Sequence, residues 1–123
     1  MKEESDIVRL REVDVTPEFD AYYLALDRNT QEKFKQGIAI IETVKVLSTK
    51  HVKKLLHTPL YEMRISIGNN EYRTILFTVD DRNVILSTKV VLLNGFLKKS
   101  TKDYEKQIKK ALKLIDKYNL WEI

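Results

Sequence analysis

The sequence predicts an α+β domain in which helices pack on one face of a mostly antiparallel sheet. Two observations lead to this class. Apolar residues recur at helical spacing between residues 17 and 48 and again between residues 102 and 118. Between residues 60 and 96 the apolar residues alternate instead, as they do in strands that are covered on one side. The predicted order of elements is β-α-α-β-β-β-α, within a single domain that spans residues 1–123.

The first half of the chain is predicted to hold one strand and two helices. Residues 7–13 alternate as an opening strand, and Thr16 followed by a proline marks the start of a helix over about 17–27. Asn29 or Thr30 is expected to cap a second helix, which packs against the first as a hairpin. The apolar stripe of the second helix comprises Phe34, Ile38, Ile41, Val44 or Lys45, and Leu47.

The second half is predicted to form a three-stranded meander and a final helix. The strands are expected over 60–67, 71–79 and 84–96, with turns at 68–70 and 80–83. The final helix is expected over about 102–118, and Ser100 or Thr101 can cap it. Its apolar face consists of Tyr104, Ile108, Ala111, Ile115 and Tyr118.

Basic residues are concentrated in the second half. Residues 1–49 contain 7 Lys and Arg against 10 Asp and Glu, whereas residues 50–123 contain 15 against 8, so the two parts carry −3 and +7 of the net charge of +4. Such a distribution suggests a polyanionic partner, most often nucleic acid. A solvated, lysine-rich surface is the alternative that composition leaves open.

The composition also excludes several classes of site. Cysteine is absent, which removes disulfides and cysteine-based metal sites or nucleophiles. His51 and His57 have no metal-site spacing, and neither Gly68 nor Gly95 lies in a phosphate-loop motif. No stretch approaches the roughly 18 apolar residues of a membrane span. We therefore expect a cytoplasmic protein that needs no metal, cofactor or membrane.

One face of the predicted sheet is expected to remain uncovered and to carry cations. Strand alternation separates Tyr61, Met63, Ile65 and Ile67 from Glu62, Arg64 and Ser66. If Asn69-Asn70 forms a two-residue loop, Ser66 pairs with Arg73 and Arg64 with Ile75, so the arginines are diagonal neighbours about 7–8 Å apart. A three-residue loop would turn Arg73 toward the helices. The first register is favoured because neither arginine then lies in the core.

The stretch NGFLKKSTK, residues 94–102, is expected to extend this basic face. Lys98 alternates with Asn94 and Phe96, so the three share a face if the strand continues that far. The arginines and lysines would then converge with few carboxylates nearby, and a phosphate would relieve their repulsion. The alternative is a set of solvated strand residues that pair with Glu62 or Glu71.

Two sets of apolar side chains are also assigned from the pattern. Ile75 and Phe77 are expected to be exposed beside Arg73, where they could anchor a partner protein among the charges. Trp121 is expected to pack on the fold or on a partner rather than on a base.

Four motifs follow one another in the second half of the chain. They are Lys53-Lys54-Leu55, Leu60-Tyr61-Glu62-Met63-Arg64, Tyr72-Arg73, and Leu92 through Lys99 with Lys102. In this order they resemble the RelE/HigB superfamily of bacterial toxins, most closely its phage-derived Gp49-like HigB branch, and the resemblance spans about residues 30–118. Asn94 stands where some relatives carry histidine, and the proline that often opens the last helix is absent.

The resemblance implies a toxin of a type II toxin-antitoxin system. Such a toxin is a ribosome-dependent mRNA endonuclease, held inactive by an antitoxin protein of helix-turn-helix type, and it directs a nucleotide 2′-hydroxyl at the adjacent phosphate without a metal. Three alternatives remain open: a non-catalytic module that binds RNA or the ribosome, a gyrase inhibitor of the ParE type, and a toxin fold that has lost activity.

The expected roles of the site residues follow from this resemblance and from the strand pattern. Arg73 is assigned the transition-state charge and Arg64 the neighbouring phosphate. Lys98 is the first choice for general acid or base, and Lys54 the second. The residues expected to grip the RNA are Lys53, Asn94, Lys99 and Lys102.

Overall fold

The structure is a computed structural model and describes residues 8–122. Its strands are β1 (Glu12–Val15), β2 (Val52–Lys54), β3 (Leu60–Ile67), β4 (Asn70–Thr78) and β5 (Lys89–Leu97). Its helices are α1 (Pro17–Leu24), α2 (Arg28–Thr43) and α3 (Thr101–Lys117), followed by a 3₁₀ turn at Leu120–Glu122. The five strands form one sheet in the order β1-β5-β4-β3-β2. The predicted α+β class and the antiparallel meander of β3, β4 and β5 are confirmed.

The two sheet edges differ from the prediction in detail. β1 pairs in parallel with β5, and it begins at Glu12 rather than at Ile7, which lies outside the described residues. β2 was not predicted, because its three residues lie in a lysine-rich segment that does not alternate. It pairs antiparallel with β3 and forms the other edge.

The helix starts depend on side-chain caps. Thr16 accepts a hydrogen bond from the backbone N–H of Phe19 (3.0 Å), and Ser100 accepts one from Asp103 (3.1 Å), as expected. The cap of α2 is Asp27, which accepts from the N–H of Thr30 (2.7 Å), so the predicted cap at Asn29 or Thr30 is wrong. Asp27 must be extended to cap α2, and α1 therefore ends before it.

The core lies in two layers, one on each side of the sheet. Helices α1 and α2 cover the face that carries Met63, Ile65 and Leu92, which confirms the predicted orientation of β3. Helix α3 packs on the opposite face, so the expectation that all helices share one face is wrong. The reason is that this second face is equally apolar along β4 and β5, and the apolar stripe of α3 covers it. Ile75 and Phe77, predicted to be exposed, are buried beneath α3.

The turn between β3 and β4 sets a register that differs from the predicted one. Gly68, with φ of 58°, and Asn69 form the two-residue turn, so that Ile67 pairs with Asn70. Arg64 is therefore directly opposite Arg73, not diagonal to it. A shift of two residues leaves every side chain on its predicted face, and the two arginines still share one face.

The loop before β5 replaces the first part of a predicted strand. β5 begins at Lys89 rather than at residue 84. The carboxylate of Asp80 accepts hydrogen bonds from the backbone N–H groups of Thr88 and Lys89 and from the hydroxyl of Ser87. Burial alone would raise the pKa of Asp80, but these hydrogen bonds outweigh it and hold the pKa well below its usual range.

Arg11 ties this loop to the end of α2. Its guanidinium, which is 1% exposed, donates hydrogen bonds to the backbone carbonyl oxygens of Ile41 (2.8 Å), Val44 (2.7 Å), Lys45 (2.7 Å) and Val84 (2.8 Å). Burial lowers the pKa of Arg11. Carbonyl groups at the end of a helix carry partial negative charge, which compensates the positive charge of this guanidinium.

Gly95 in the NGF motif has a packing role. A Cβ atom at this position would lie 2.4 Å from Cε2 of the Tyr22 ring, so only glycine allows α1 to approach β5 this closely. None of the helices in residues 8–122 has the length and apolar character required to cross a membrane.

Candidate functional site

A cleft opens beside α3 because this helix covers only part of the second sheet face. α3 lies over β4 and β5, and the face of β2 and β3 next to it is left accessible. The residues that line this cleft are Lys53, Lys54, Leu55, Leu56, Glu62, Arg64, Lys98 and Tyr104. We call this the basic cleft.

Strand register brings its charged residues together. Lys53 is the cross-strand partner of Glu62, and Arg64 lies two residues further along the same face of β3. Lys98 follows β5 and donates its backbone N–H to the carbonyl oxygen of Glu71 (2.8 Å), so the pairing continues one residue past the strand. Residues two apart on a strand share a face, which brings Lys53, Glu62, Arg64 and Lys98 to one side of the sheet.

Glu62 is the buried carboxylate of the basic cleft. Its side chain is 4% exposed, and Oε2 lies 3.2 Å from Nε of Arg64 and 3.7 Å from Nε of Arg73. Its Oε1 has no hydrogen-bond partner among the described residues. Burial raises the pKa of Glu62, and the charges of Arg73, Arg64, Lys53 and Lys98 oppose this effect without cancelling it. A carboxylate in this state is suited to accept a proton.

From the sequence, Glu62 was expected only as a partner of the arginines. The signal that could have identified it was present, because strand alternation placed Glu62 on the same face as Arg64. Its burial, which gives it a raised pKa, was not visible in the pattern.

Arg73 lies beneath the basic cleft and not in its wall. The residue is 2% exposed, and its Nη1 lies 3.2 Å from Oε1 of Glu71 and donates to the carbonyl oxygen of Tyr72 (3.1 Å). Arg73 is not among the described residues that line the basic cleft, unlike the equally buried Glu62, so this arrangement does not support the predicted direct contact between Arg73 and a phosphate. The expectation of few nearby carboxylates is also wrong, because Glu62 and Glu71 flank Arg73.

Glu71 is fixed from two sides. Oε1 accepts a hydrogen bond from the hydroxyl of Ser66 (2.8 Å) and pairs with Arg73. The pKa of Glu71 is lowered first by the Ser66 hydrogen bond, while partial desolvation opposes this shift and Arg73 adds to it. Glu71 therefore stays ionised and holds Arg73 in place.

The lysines predicted for the site divide into two groups. Lys53 and Lys98 are exposed and line the basic cleft. Lys54 lines its rim, but its ammonium donates to the carbonyl oxygens of Thr58 and Leu55 and lies 5.6 Å from the centre of the Tyr61 ring. Because Lys54 pairs with Tyr61 in the register, it extends from the face opposite to that of Lys53.

The remaining predicted residues lie outside the basic cleft. Asn94 is 2% exposed, and its Nδ2 donates to Oε1 (2.9 Å) and to the backbone oxygen (3.2 Å) of Gln107, which ties β5 to α3. Lys99 and Lys102 are exposed at the start of α3, and neither is among the described residues that line the cleft. Asn94 is therefore a structural residue in this arrangement.

Tyr104 completes the cleft on the side of α3. Its ring lies edge-on to Phe96, with centroids 5.2 Å apart and an interplanar angle of 85°. The sequence analysis assigned Tyr104 only to the apolar face of the helix. The cleft thus combines three cations that can hold phosphate oxygens, one carboxylate with a raised pKa, and one aromatic ring.

Potential metal ligands do not cluster in the part of the chain that the structure describes. There, no group of three or more His, Asp or Glu side chains is placed to hold a metal ion. The positive charge of the basic cleft comes from side chains such as Lys53, Arg64 and Lys98.

The fold is that of the RelE toxins. The isolated Escherichia coli RelE toxin, in a P21 crystal form, superimposes with a TM-score of 0.52 at 15% identity, covering 81% of this chain and 97% of that one. A chain of the intact E. coli RelBE toxin-antitoxin complex superimposes with a TM-score of 0.53 at 14% identity, covering 73% of this chain and 99% of that one.

A family match defines the chain more narrowly than its fold does. Residues 21–116 match the family described as phage-derived protein Gp49-like, and the chain belongs to this family. The search of curated proteins finds no match. The predicted resemblance to the Gp49-like branch of the RelE/HigB superfamily is confirmed.

Proposed function

We propose that this chain is the toxin of a type II toxin-antitoxin system and acts as a ribosome-dependent mRNA endonuclease. The observation that carries the proposal is Glu62, a buried carboxylate with a raised pKa, held between Lys53, Arg64 and Lys98 in an open cleft. The RelE-like fold of the chain adds support. Phosphate-diester cleavage needs both a proton acceptor and cations, and the basic cleft contains both.

The proposed reaction begins with proton transfer to Glu62. Its carboxylate removes the proton from the 2′-hydroxyl of the nucleotide before the scissile bond, and the 2′-oxygen attacks the adjacent phosphorus. The bond to the 5′-oxygen of the next nucleotide breaks, and Lys98 donates a proton to that oxygen. The products are a 2′,3′-cyclic phosphate and a free 5′-hydroxyl, so protons and charges balance.

Arg64 and Lys53 are assigned to the phosphate oxygens. Negative charge develops on these oxygens in the transition state, and cations that are already in position stabilise it without reorganising. Arg64 is held by its 3.2 Å contact with Glu62, and Lys53 is the cross-strand neighbour of Glu62. No metal or cofactor has a role in this mechanism.

Arg73 is assigned a positioning role. It lies behind Glu62, and its charge keeps the pKa of Glu62 from rising further. Lys99 and Lys102, both exposed at the start of α3, are proposed to contact the RNA backbone outside the cleft.

A partner protein completes the proposed system. One of the two structures with this fold is a toxin-antitoxin complex. We infer that a cytoplasmic antitoxin, with a helix-turn-helix domain and an acidic segment, covers the basic cleft of this chain. The acidic segment follows from charge complementarity to Lys53, Arg64 and Lys98.

The central test compares this chain with its Glu62→Gln variant on ribosomes programmed with a defined message. We expect the variant to cleave at least about 10²-fold more slowly, because general acid-base groups typically contribute 10²–10⁴-fold. Glu105→Gln, on the exposed side of α3, is the matched control and should cleave normally. Equal cleavage by Glu62→Gln and the wild type would remove Glu62 from the mechanism.

Growth and supercoiling assays separate the alternative functions. Expression of the chain alone should arrest growth, and co-expression of the antitoxin should restore it. Growth arrest without message cleavage would indicate a binding module, and inhibition of DNA supercoiling by gyrase would indicate the ParE type. A folded chain that neither arrests growth nor cleaves would contradict the proposal.

A further inference from the structure

A second basic pocket adjoins the basic cleft. It is lined by Lys54, His57, Thr58, Pro59 and Arg82. Lys54 also lines the basic cleft, so the two depressions meet at this residue, at the end of β2. We call the second depression the flanking pocket. The proposed cleavage mechanism makes no use of it.

The positive charge of the flanking pocket comes from Lys54 and Arg82, and His57 also lines it. No carboxylate is among the described residues that line this pocket, whereas the basic cleft contains Glu62. The pKa of Lys54 is lowered by burial and, to a smaller extent, by the positive charge of Arg82. Cations held close together favour an anionic ligand.

An aromatic ring extends the flanking pocket beyond Arg82. The guanidinium carbon of Arg82 lies 5.9 Å from the centre of the Trp121 indole. The indole is fixed by an edge-on contact with Phe77, with centroids 5.1 Å apart, and by a hydrogen bond from Nε1 to Oδ1 of Asp116 (2.7 Å). Trp121 nevertheless remains 44% exposed. A fixed, half-exposed aromatic ring beside an arginine is a platform on which an unpaired base can stack.

His57 adds a local conformational feature at the same place. Its φ is 62°, in the left-handed region that non-glycine residues rarely adopt. Glycine would adopt this backbone without strain, yet histidine occupies it and lines the pocket. Strain of this kind is retained where the side chain has a function that the surrounding structure enforces.

We propose that the flanking pocket is a second nucleotide subsite for single-stranded RNA, next to the scissile phosphate. Arg82, His57 and Lys54 bind the phosphate of a neighbouring nucleotide, and the base of that nucleotide stacks on the Trp121–Arg82 pair. The identity of the ligand as RNA rests on the proposed function. The alternation of phosphate-binding cations and an aromatic ring is the combination that single-stranded nucleic acid requires.

Trp121 makes the proposal measurable, because it is the single tryptophan of the chain. The probes are a 2′-O-methyl tetranucleotide and a 2′-O-methyl dinucleotide, which the proposed reaction cannot cleave because the nucleophile is blocked. We expect the tetranucleotide to quench the Trp121 fluorescence on binding at low salt. The dinucleotide should bind in the basic cleft and leave the fluorescence nearly unchanged.

Two variants test the residues. Arg82→Ala should weaken tetranucleotide binding and reduce the slope of log affinity against log salt by about 0.7, the value for one phosphate contact on a single strand. Trp121→Leu, followed by competition with a labelled tetranucleotide, should weaken binding roughly 5- to 100-fold, as expected for the loss of one stacked base. Dinucleotide affinity should not change in either variant.

The controls address folding and general charge. Lys113→Ala removes an exposed cation on α3, away from both depressions, and should leave the affinity and salt slope of both probes within experimental error. His57→Gly relieves the positive φ, so it should unfold at a higher denaturant concentration while binding the tetranucleotide more weakly. A variant that is more stable and yet binds less cannot owe its weaker binding to misfolding.

The outcomes distinguish this proposal from the nuclease proposal. Absence of Trp121 quenching, or an Arg82→Ala variant with wild-type affinity and salt slope, overturns the subsite even if the chain cleaves messages. Quenching together with the Arg82 effect in a chain that cleaves nothing supports the subsite and contradicts the nuclease.

Discussion

Two arginines of this protein are almost completely buried, and they differ in how their hydrogen-bonding capacity is used. Arg11 is 1% exposed and donates to the carbonyl oxygens of Ile41, Val44, Lys45 and Val84. Arg73 is 2% exposed and lies between two glutamates, and its Nε has no hydrogen-bond partner within residues 8–122. The two side chains are therefore buried to the same extent, but Arg11 makes more hydrogen bonds than Arg73.

The difference fits a structural role for Arg11 and a place beside the proposed site for Arg73. The guanidinium of Arg11 joins α2 to the loop before β5, and no described residue in contact with it opens onto the basic cleft. In the part of the chain that the structure describes, one oxygen each of Glu62 and Asn94 is also buried without a partner, as are the hydroxyl groups of Tyr22, Thr74 and Thr78. Unsatisfied polar atoms are rare in folded proteins, and they concentrate where a site requires them.

The largest effect is expected at Arg11. Arg11→Ala would leave several buried carbonyl groups without donors, each costing about 1–3 kcal/mol, so we expect a loss of about 3–5 kcal/mol in the free energy of unfolding. Denaturant unfolding measures this loss. Arg9→Ala, an exposed neighbour, is the control and should change stability little. A loss below 1 kcal/mol for Arg11→Ala would show that water replaces the guanidinium.

Arg73→Ala is expected to affect the proposed reaction more specifically. The side chain positions Glu62 without contacting RNA, so kcat for message cleavage should fall about 10²-fold while KM stays unchanged. Arg64→Ala should instead change both parameters, because Arg64 lines the cleft. Partial recovery of kcat in Arg73→Lys would support a role of the positive charge. An unchanged kcat in a folded Arg73→Ala variant would make Arg73 a structural residue like Arg11.

Much of this comparison could be predicted from the sequence. Alternation in β3 placed Glu62 and Arg64 on one face, and a shift of two residues in the hairpin left Arg73 on that face. The register itself depended on Gly68, whose positive φ moved the turn one residue toward the N-terminus. The pattern of apolar residues does not distinguish a turn at Gly68-Asn69 from one at Asn69-Asn70, because both leave the same side chains on each face.

The cleft could not be predicted, because it depends on the side of the sheet on which α3 packs. The apolar stripe of α3 predicts that the helix packs on the sheet, but it does not specify which of the two sheet faces it packs on. With α3 on this face, Ile75 and Phe77 are buried beneath it and Asn94 bonds to Gln107. The changed assignments of these three residues follow from the side on which α3 packs, whereas that of Lys54 follows from the pairing of β2 with β3.

The pH dependence of cleavage provides the next test. A general base acts in its ionised form, and burial raises the pKa of Glu62. Cleavage should therefore increase with pH through an acidic limb that lies above the usual range of a glutamate. Removing Arg73, which lowers this pKa, should move the limb to higher pH in Arg73→Ala. A limb that persists unchanged in the residual activity of Glu62→Gln would assign the titration to another group.

The smallest effect is expected at Glu71, where the carboxylate is partly exposed and holds Arg73 from outside. Its pKa is lowered, first by the Ser66 hydrogen bond and then, against some desolvation, by Arg73. A carboxylate with a lowered pKa in the folded state contributes stability above its unfolded pKa of about 4.3, and this contribution disappears as pH falls through the folded value. The wild type should thus be slightly more stable than Glu71→Gln at neutral pH, and the gap should close in acid. In a Ser66→Ala background, the difference in stability between Glu71 and Glu71→Gln at neutral pH should be smaller, because the Ser66 hydrogen bond is lost. Ser48→Ala, in an exposed turn, should leave this difference unchanged. Thermal unfolding from pH 7 downward measures the gap, and a gap that widens in acid would mean that Glu71 strains the Arg73 network instead of supporting it.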